Sequence, residues 1–249
     1  ETEENNKLRI HKAKTLNAVH LRPLEGVDKS IKIEPNRQAY INEAFQTDGF
    51  LDSLAELQTE INAKTKTLDL TEEYPKLLVL GTGSCIPNKI RNTSGLLLRI
   101  DAETSFLLDC GEGTAGQILR FFGVEEYPKI LKSIKGIFIS HLHADHHLGL
   151  INIFQQRQKL TSEPLFLFGP KKIHLWLQLY NQKFEKINNA FNLIPSENVV
   201  IYTPNLPAEI EEQVRKVLKV QKVETVQVNH CAYAYGVALT LENGKKVVY

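Results

Sequence analysis

Ser140-His-Leu-His-Ala-Asp-His-His147 directly follows Gly136-Ile-Phe-Ile139, an apolar run that is typical of a buried strand. The segment places four candidate metal ligands within six positions, namely His141, His143, Asp145 and His146. The pattern His-x-His-x-Asp-His offers one pair of imidazoles and a second pair made of a carboxylate and an imidazole, and the two pairs face different ways. A hydrolytic site with two metal ions requires this kind of ligand set.

Zinc suits this mixture of imidazole and carboxylate ligands, although manganese and iron also fit the ligand types. A bound metal lowers the pKa of its water to roughly 7, and two ions about 3.5–4 Å apart also neutralise charge on a phosphodiester. The alternative interpretation is a polar surface loop that happens to be rich in histidine. Four ligands at this spacing behind a buried strand favour the metal site.

The residues near the cluster allow less definite assignments. His147 would point away from ions held by its predecessors, so we expect it to support a ligand or to lie at the surface. His230 follows the alternating strand Val226-Gln-Val-Asn229 and is the best remaining candidate ligand. Cys231 has no sulfur partner nearby in sequence, and we expect a small buried side chain there. The other histidines have no such context: His11, His20 and His174.

Two polar segments follow predicted strands and admit two interpretations each. Asp109 ends a strand, and its carboxylate either orients a liganding imidazole or only caps the next helix. Gly81-Thr82-Gly83-Ser84 follows the strand Leu77–Leu80, and its backbone N–H groups are placed to approach a phosphate. A short glycine loop also occurs in many turns without any ligand.

The spacing of the predicted elements indicates the fold class. Strands at Leu77–Leu80, Gly95–Ile100 and Phe106–Asp109 lie too close together in sequence for helical crossovers. This favours a mixed sheet with helices packed outside, as in a four-layered αββα sandwich, over a doubly wound parallel sheet. Helices are predicted over 38–62 with a break near Asp48-Gly49, and over 115–122, 148–160, 171–191 and 209–220. Further strands are predicted over 136–140, 164–168, 223–229, 236–241 and 245–249.

The composition is that of an ordinary globular protein, with 42% apolar and 24% charged residues in 249. A net charge of +1 means that nucleic-acid binding requires a local basic patch rather than a global field. No apolar run is long enough to span a bilayer, and no signal peptide is evident, so we expect no membrane association. The three cysteines form no CxxC pair, which fits a reducing compartment.

Several segments together resemble the long form of tRNase Z, the metallo-β-lactamase-fold endonuclease that trims the 3′ end of precursor tRNA. They are Leu80-Gly-Thr-Gly-Ser84, Pro87-Asn-Lys-Ile-Arg-Asn92, Leu108-Asp-Cys-Gly-Glu-Gly113, the histidine cluster and Asn229-His-Cys-Ala-Tyr-Ala-Tyr-Gly236. The histidine motif alone indicates only the metallo-β-lactamase superfamily. The Pro-x-Lys-x-Arg-Asn segment and the surroundings of His230 make the match specific.

The resemblance implies a two-zinc site of defined composition. His141, His143 and His230 match the ligands of one zinc ion, and Asp145 and His146 match ligands of the other. Asp145 is also the expected general base that helps to activate the attacking water. The implied reaction is hydrolysis of the phosphodiester after the discriminator nucleotide, which leaves a 3′-OH on the tRNA.

The resemblance also assigns a substrate loop. Lys89, Arg91 and Asn92 match the loop that senses the 3′ end of the tRNA in this family, and a Lys and an Arg beside a metal centre suit phosphate in any case. Thr82 and Ser84 are the corresponding candidates in the glycine loop. Solvated surface charges are the alternative for the basic pair.

The resemblance covers residues 75–249, which we expect to form the catalytic domain. Residues 63–74 are predicted as a linker, and residues 1–62 as the partly helical tail of an amino-terminal half that carries the tRNA-gripping arm. Because the chain has no methionine and Lys245–Tyr249 is typical of a strand in mid-course, we interpret it as a fragment. The family pattern places further ligands, including a carboxylate that bridges the metals, after Tyr249.

Two other functions remain open at this point. One is a different hydrolase of the same fold, of the thioesterase or lactamase type, which has no use for a Lys/Arg loop. The other is an inactive half that binds RNA without turnover. The family resemblance alone suggests a location in the nucleus and in mitochondria.

Overall fold

The structure, a computed structural model, describes residues 19–20, 26–27, 36–67, 74–88 and 91–249. The chain divides into two compact units, Glu1–Thr71 and Glu72–Tyr249. Lys89 and His11 lie outside the described residues, as do residues 68–73, which are half of the predicted linker.

The amino-terminal unit contains a short antiparallel strand pair and two helices. Its elements are β1 (Val19–His20), β2 (Gly26–Val27), α1 (Arg37–Gln46) and α2 (Phe50–Thr67). The side chain of Asn36 caps α1 by accepting a hydrogen bond from the backbone N–H of Ala39 at 3.0 Å. The predicted break near Asp48-Gly49 is present: α1 ends at Gln46, Thr47 is extended, and Gly49 takes a positive φ of 72° in the turn before α2. Helix α2 extends to Thr67, past the predicted start of the linker.

A six-stranded mixed sheet forms the centre of the second unit. In spatial order its strands are β3 (Lys76–Gly81), β4 (Gly95–Arg99), β5 (Ser105–Leu108), β6 (Ile134–Phe138), β7 (Leu165–Gly169) and β8 (Phe191–Pro195). Strands β3 to β5 pair antiparallel, as their short connections require, whereas β5 to β8 pair parallel.

Helices connect the parallel strands. They are α3 (Thr114–Ser133), the short α4 (Ala144–His147), α5 (Leu150–Gln158) and α6 (Ile173–Lys183). The helix predicted over 115–122 continues to Ser133 through a kink at Gly123, whose φ of 78° is outside the helical region.

A second, three-stranded antiparallel sheet is formed by the carboxy-terminal part of the chain. Its strands are β9 (Val220–Gln227), β10 (Tyr235–Leu241) and β11 (Lys246–Val248), in the spatial order β11-β10-β9. Helix α7 (Ala208–Leu218) leads into β9.

The two sheets pack face to face, and helices cover the other side of the larger sheet. Along β5 and β6, Phe106 and Phe138 point into the core shared with Val237 and Leu239 of the smaller sheet. Leu107, on the opposite face of β5, packs in a separate core with helices α3, α5 and α6. This alternation follows from the two-residue period of a strand that is buried on both faces. The predicted αββα class is confirmed.

The helix predicted over 171–191 is too long. It ends at Lys183, where the side-chain carbonyl of Asn181 accepts hydrogen bonds from the backbone N–H groups of Ile187 and Asn188. Ile187 is buried as its apolar character indicates, but it lies in a loop, and the sixth strand of the larger sheet begins at Phe191. Apolar periodicity alone does not distinguish a continuing helix from a buried loop residue that is followed by a strand.

None of the helices in the described part of the chain combines the length and the apolar character that a membrane span requires.

Candidate metal centre

The histidine cluster lies where β6 leaves the core of the sandwich. Every residue of β6 is buried or half-buried, and Ile139 continues the pairing by donating its N–H to the carbonyl of Phe168 at 2.8 Å. The chain then turns away from the sheet and forms α4, whose first residues carry Asp145 and His146. The second candidate pair thus lies in this short helix, and the ring of His146 lies 4.1 Å from that of His141, between centroids.

Three imidazoles converge beside this loop. His141 Nε2 lies 2.9 Å from His143 Nδ1, and the ring of His230 lies 4.6 Å from that of His141 and 5.2 Å from that of His143, between centroids. His230 is far from the other two in the sequence. It reaches them because the N–H of Tyr235 donates to the carbonyl of Ser140 at 2.9 Å, which ties the two loops together.

Burial differs among the three imidazoles. His141 is only 6% exposed, whereas His143 and His230 are exposed. Burial and the neighbouring imidazole of His146 lower the pKa of His141 to about 4. His141 is therefore neutral at physiological pH, the state in which an imidazole binds a metal.

Asp145 and His146 form the second ligand pair. The Asp145 Oδ2 atom lies 3.6 Å from His146 Nε2 and accepts a hydrogen bond from the backbone N–H of Cys85 at 2.8 Å. Burial opposes ionisation, but that bond and the aspartate's own N–H hold the pKa of Asp145 below its usual value. The carboxylate is thus charged and acts only as an acceptor at neutral pH.

Asp109 is the shared hydrogen-bond acceptor of several residues of the site. It is fully buried and accepts hydrogen bonds from the Ser140 N–H, the Ser140 hydroxyl, the Tyr249 hydroxyl (each at 2.8 Å) and His146 Nδ1 at 2.5 Å. Burial would lower the pKa of His146, but the bond to Asp109 raises it above the usual value. The helix-capping alternative is not what is observed, since Gly113 occupies the N-cap of α3.

These bonds dictate which ring nitrogens face the cluster. The Ser140 hydroxyl donates to Asp109, so it accepts from His141 Nδ1 at 2.9 Å, which leaves the His141 Nε2 lone pair directed at the other imidazoles. His146 likewise uses Nδ1 towards Asp109 and presents Nε2 towards Asp145. Such carboxylate-held imidazoles are the usual partners of a protein-bound metal.

Two glycines allow the loops of the site to approach each other. A Cβ on Gly111 would lie 2.2 Å from the carbonyl oxygen of Asp145 and 2.2 Å from Thr93 Oγ1. A Cβ on Gly149 would lie 2.2 Å from the carbonyl oxygen of Gly111. The loop after Asp109 and the helix α4 segment are therefore in contact through backbone atoms, and a larger side chain at either position would separate them.

His147 does not reach the other imidazoles of the cluster. Its ring packs against Trp176 with a centroid distance of 4.8 Å, and its Nε2 donates to the carbonyl of Leu142 at 3.3 Å. The side chain of His147 thus stabilises the loop that carries the candidate ligands.

The predicted substrate residues lie on two bridged loops. Gly83 pairs with Thr93, and the Gly83 N–H donates to the Asn92 carbonyl at 2.6 Å. Thr82, Ser84 and Arg91 are exposed, whereas Asn92 is half-buried and its Nδ2 has no hydrogen-bond partner. Because Cys85 follows on the first loop and bonds to Asp145, these loops border the metal centre.

Sequence reasoning missed four residues of the site. Ser140 and Tyr249 complete the Asp109 network, the backbone of Cys85 holds Asp145, and Cys231 is half-buried beside the imidazoles rather than a buried core residue. The Sγ atom of Cys231 lies within 4.8 Å of the ligand atoms of His141, His143 and His230. In the sequence, only its position next to His230 indicated that Cys231 lies at the site.

The donor set fits zinc. His141 Nε2 and His143 Nδ1 lie 2.9 Å apart, and Asp145 Oδ2 and His146 Nε2 lie 3.6 Å apart. Imidazole and carboxylate ligands are those that zinc takes in hydrolytic sites.

A mixed six-stranded sheet packed on a second sheet, with a histidine and aspartate cluster at the strand ends, defines a metallo-β-lactamase-type domain. Residues 75–249 match the family model described as "Anti-Pycsar protein Apyc1", and the chain belongs to this family.

Known relatives confirm the resemblance to tRNase Z. The chain is 38% identical over 224 residues to "Ribonuclease Z, mitochondrial" of Drosophila melanogaster, a match that covers 89% of this chain and 28% of that protein. It is 34% identical over 238 residues to "Zinc phosphodiesterase ELAC protein 2" of Macaca fascicularis, with 92% and 29% covered. The chain thus spans less than a third of the length of these relatives.

The fold likeness extends to a solved structure. A crystal structure of a long form RNase Z from yeast superposes with a TM-score of 0.69 at 23% identity, covering 91% of this chain and 36% of that one.

Proposed function

We propose that this chain is part of a zinc-dependent endoribonuclease that removes the 3′ trailer from precursor tRNA by hydrolysis and leaves a 3′-OH. The observation that carries the proposal is the convergence of His141, His143 and His230 beside the Asp145–His146 pair. The names of the relatives, a ribonuclease Z and a zinc phosphodiesterase, support the same reaction. We propose residues 75–249 as the catalytic domain and residues 1–62 as the tail of an amino-terminal half.

In this proposal His141, His143 and His230 hold one zinc ion, and Asp145 and His146 contribute to a second. Zinc held there would supply a water of lowered pKa, roughly 7. Asp145, which is charged at neutral pH, is the residue that would accept a proton from the attacking water. Asp109 keeps the imidazole of His146 oriented, and its network excludes bulk water from below the site.

We propose that Lys89, Arg91 and Asn92 contact the tRNA near its 3′ end, with Thr82 and Ser84 on the adjoining loop. Arg91 is exposed beside the metal centre, where a cation meets phosphate oxygens. We further propose that the protein acts in mitochondria, as the name of the fly relative suggests, and also in the nucleus.

The catalytic assignment is tested with the full-length protein of which this chain is part, by cleavage of a precursor tRNA that carries a 3′ trailer. Asp145→Ala should slow cleavage at least about 100-fold, the lower end of the usual contribution of a general base. Asp52→Ala, which alters an exposed carboxylate in α2, is the matched control and should cleave at the wild-type rate. Equal rates for Asp145→Ala and the wild type would refute the role of Asp145.

The substrate class is tested by reversing the charges of Lys89 and Arg91. Binding of precursor tRNA should weaken, and the slope of log affinity against log salt should fall by about one for each phosphate that the loop no longer neutralises. Hydrolysis of a small phosphodiester should be unchanged, because that substrate does not reach the loop. An unchanged salt slope would instead favour a hydrolase that does not use RNA.

A further inference from the structure

A cavity at the carboxyl end of α5 contains a buried arginine whose donors are only partly used. Arg157 is 2% exposed. Its Nη1 donates to the carbonyl oxygen of Glu163, but among the described residues neither Nε nor Nη2 of Arg157 has a hydrogen-bond acceptor. Buried donors of a charged group are rarely left without acceptors, because their desolvation is costly. The two N–H groups therefore indicate a ligand that is not part of the described chain.

We infer that Arg157 binds a small oxyanion, a carboxylate or a phosphate, through these two N–H groups. Nη1 is the guanidinium nitrogen on the side of Cδ, so Nε–H and Nη2–H share the other edge of the plane and point in parallel directions. That edge forms two parallel hydrogen bonds with two oxygens of a carboxylate or a phosphate. The bond from Nη1 to Glu163 holds the guanidinium in place while the free edge faces the ligand.

The surrounding cavity has the size and the polar lining for such a ligand. Its volume is about 270 Å³, far more than a single water molecule needs. Ser162 and Asn189 are exposed, so the cavity is open to solvent at these residues. Besides Arg157, the lining side chains that can donate hydrogen bonds are those of Gln158, Thr161, Ser162 and Asn189.

The charges at the cavity also favour an anion. The carboxylate of Glu163 lines it but is paired, since its Oε2 accepts a hydrogen bond from the ammonium of Lys135 at 3.1 Å. Burial lowers the pKa of the Arg157 guanidinium, and the charge of Glu163 partly opposes this. The guanidinium stays protonated at physiological pH, because its ordinary pKa is above 12. Arg157 is thus the charge of this cavity that an anion would compensate.

A cation in the last turn of α5 also suits the helix dipole. That role requires neither burial of the side chain nor a free bidentate edge. The end of the helix is moreover closed by backbone bonds, because the Arg157 carbonyl accepts from the N–H groups of Leu160 and Thr161 at 2.9 and 3.0 Å. The helix dipole therefore does not account for the unused N–H groups.

The cavity is separate from the metal centre. Strands β6, β7 and β8 run parallel, and the candidate metal ligands follow the carboxyl end of β6. The cavity residues Glu163 and Asn189 instead precede the amino ends of β7 and β8. The two sites lie at opposite edges of the larger sheet, so the inference does not rest on the proposed function.

The test is titration of the metal-free 249-residue chain with inorganic phosphate and, separately, with acetate, at constant ionic strength set with chloride. Calorimetry should show one saturable site for at least one of the two anions, and the thermal unfolding midpoint should rise with its concentration. The arm that binds identifies the ligand as a phosphate, a carboxylate or either. No saturable binding in either arm would overturn the inference and leave water as the acceptor of the two N–H groups.

The residue is tested by Arg157→Lys, which keeps the charge but lacks the parallel pair of donors. Affinity should fall roughly tenfold or more, the loss expected for one hydrogen bond to a charged group. Arg120→Lys changes an exposed arginine of α3 that does not line the cavity, and this control should bind as the wild type does. Undiminished binding by Arg157→Lys would place the anion elsewhere and refute the assignment.

A second measurement does not depend on how well the variant folds. In ¹H–¹⁵N spectra of the wild type, the Nε–H signal of Arg157, assigned through its own side-chain bonds, should shift as the anion is added. The shift should saturate at the Kd that calorimetry gives. A signal that stays in place while calorimetry reports binding would exclude Arg157 as the residue that holds the anion.

Discussion

Asp109, Ser140 and His146 are buried or half-buried and joined by hydrogen bonds of 2.5–2.8 Å, whereas His143, His230 and Cys231 are exposed or half-buried and lie on loops. We call these sets the buried side and the exposed side of the metal centre. The buried side is oriented by folding itself. In the proposed site, the exposed side is brought near its final geometry by folding and would be completed by an ion. Mutations should therefore affect stability on the first side and ion binding on the second.

The largest expected effect is that of Asp109→Ala on the buried side. It leaves the Ser140 N–H and hydroxyl, the Tyr249 hydroxyl and His146 Nδ1 without their shared acceptor. Removal of one partner from such a buried charged network costs about 3–5 kcal/mol. Denaturant unfolding of the metal-free chain measures the loss.

Asp109→Asn is the matched control, since it keeps the shape and one acceptor oxygen and tolerates the positive φ of 57° at this position. It should be clearly more stable than Asp109→Ala. Equal stability of the wild type and Asp109→Ala would show that the buried side is not held by this carboxylate.

A smaller loss of folding stability is expected from Gly111→Ala, which places a methyl group 2.2 Å from the Asp145 carbonyl oxygen. Overpacking of this kind costs about 1–3 kcal/mol and moves the loop of Asp145 away. Thermal unfolding and zinc affinity should both decrease. Gly116→Ala in α3, where no atom lies within 4 Å of the new Cβ, should be neutral or stabilise by up to about 1 kcal/mol.

The contrast between the two sides also explains what the sequence predicted. The ligand cluster could be read from one segment, because a strand that ends in His-x-His-x-Asp-His fixes its own local geometry. Asp109 was a candidate because it ends a predicted strand, with helix capping as the alternative. The structure places it beside the cluster because β5 and β6 are adjacent parallel strands, whose ends meet at one edge of the sheet. The mixed sheet followed from connection lengths alone.

Other parts of the site depend on contacts that no local pattern encodes. Tyr249 reaches Asp109 across 140 positions, and Cys85 reaches Asp145 across 60. Cys231 was assigned to the core because a lone thiol usually packs there. Its position beside the imidazoles results from the loop bonds to Ser140 and Ala234. Strand β8 was not predicted from the sequence, because the apolar spacing of α6 continues by chance to Phe191, the first residue of that strand.

A pH series on the metal-free chain should separate His141 from His146. Because the pKa of His141 is lowered from 6.5 to about 4, the unfolded chain binds the extra proton between these values, and stability falls as the pH drops through that window. Because the pKa of His146 is raised above 6.5, its contribution is complete below 6.5 and is lost as the pH rises through the folded value.

Unfolding free energies of His141→Gln and His146→Gln should show a weaker acid decline in the first and a weaker alkaline decline in the second. If His141→Gln keeps the full acid decline, the burial of His141 is not its cause.

The smallest effect on the folded chain is expected on the exposed side. His230→Ala removes an exposed ring that no buried network uses, and surface changes of this kind usually stay within about 0.5 kcal/mol. The same variant should lose most of the stabilisation that zinc adds, which is about 2.7 kcal/mol for the wild type when free zinc is about 100 times its Kd. Unfolding with and without zinc measures both quantities, and His174→Ala, a histidine outside the cluster, should retain the zinc increment. A metal-free His230→Ala chain that is destabilised as strongly as Asp109→Ala would show that both sides are built by folding, and the distinction between them would be wrong.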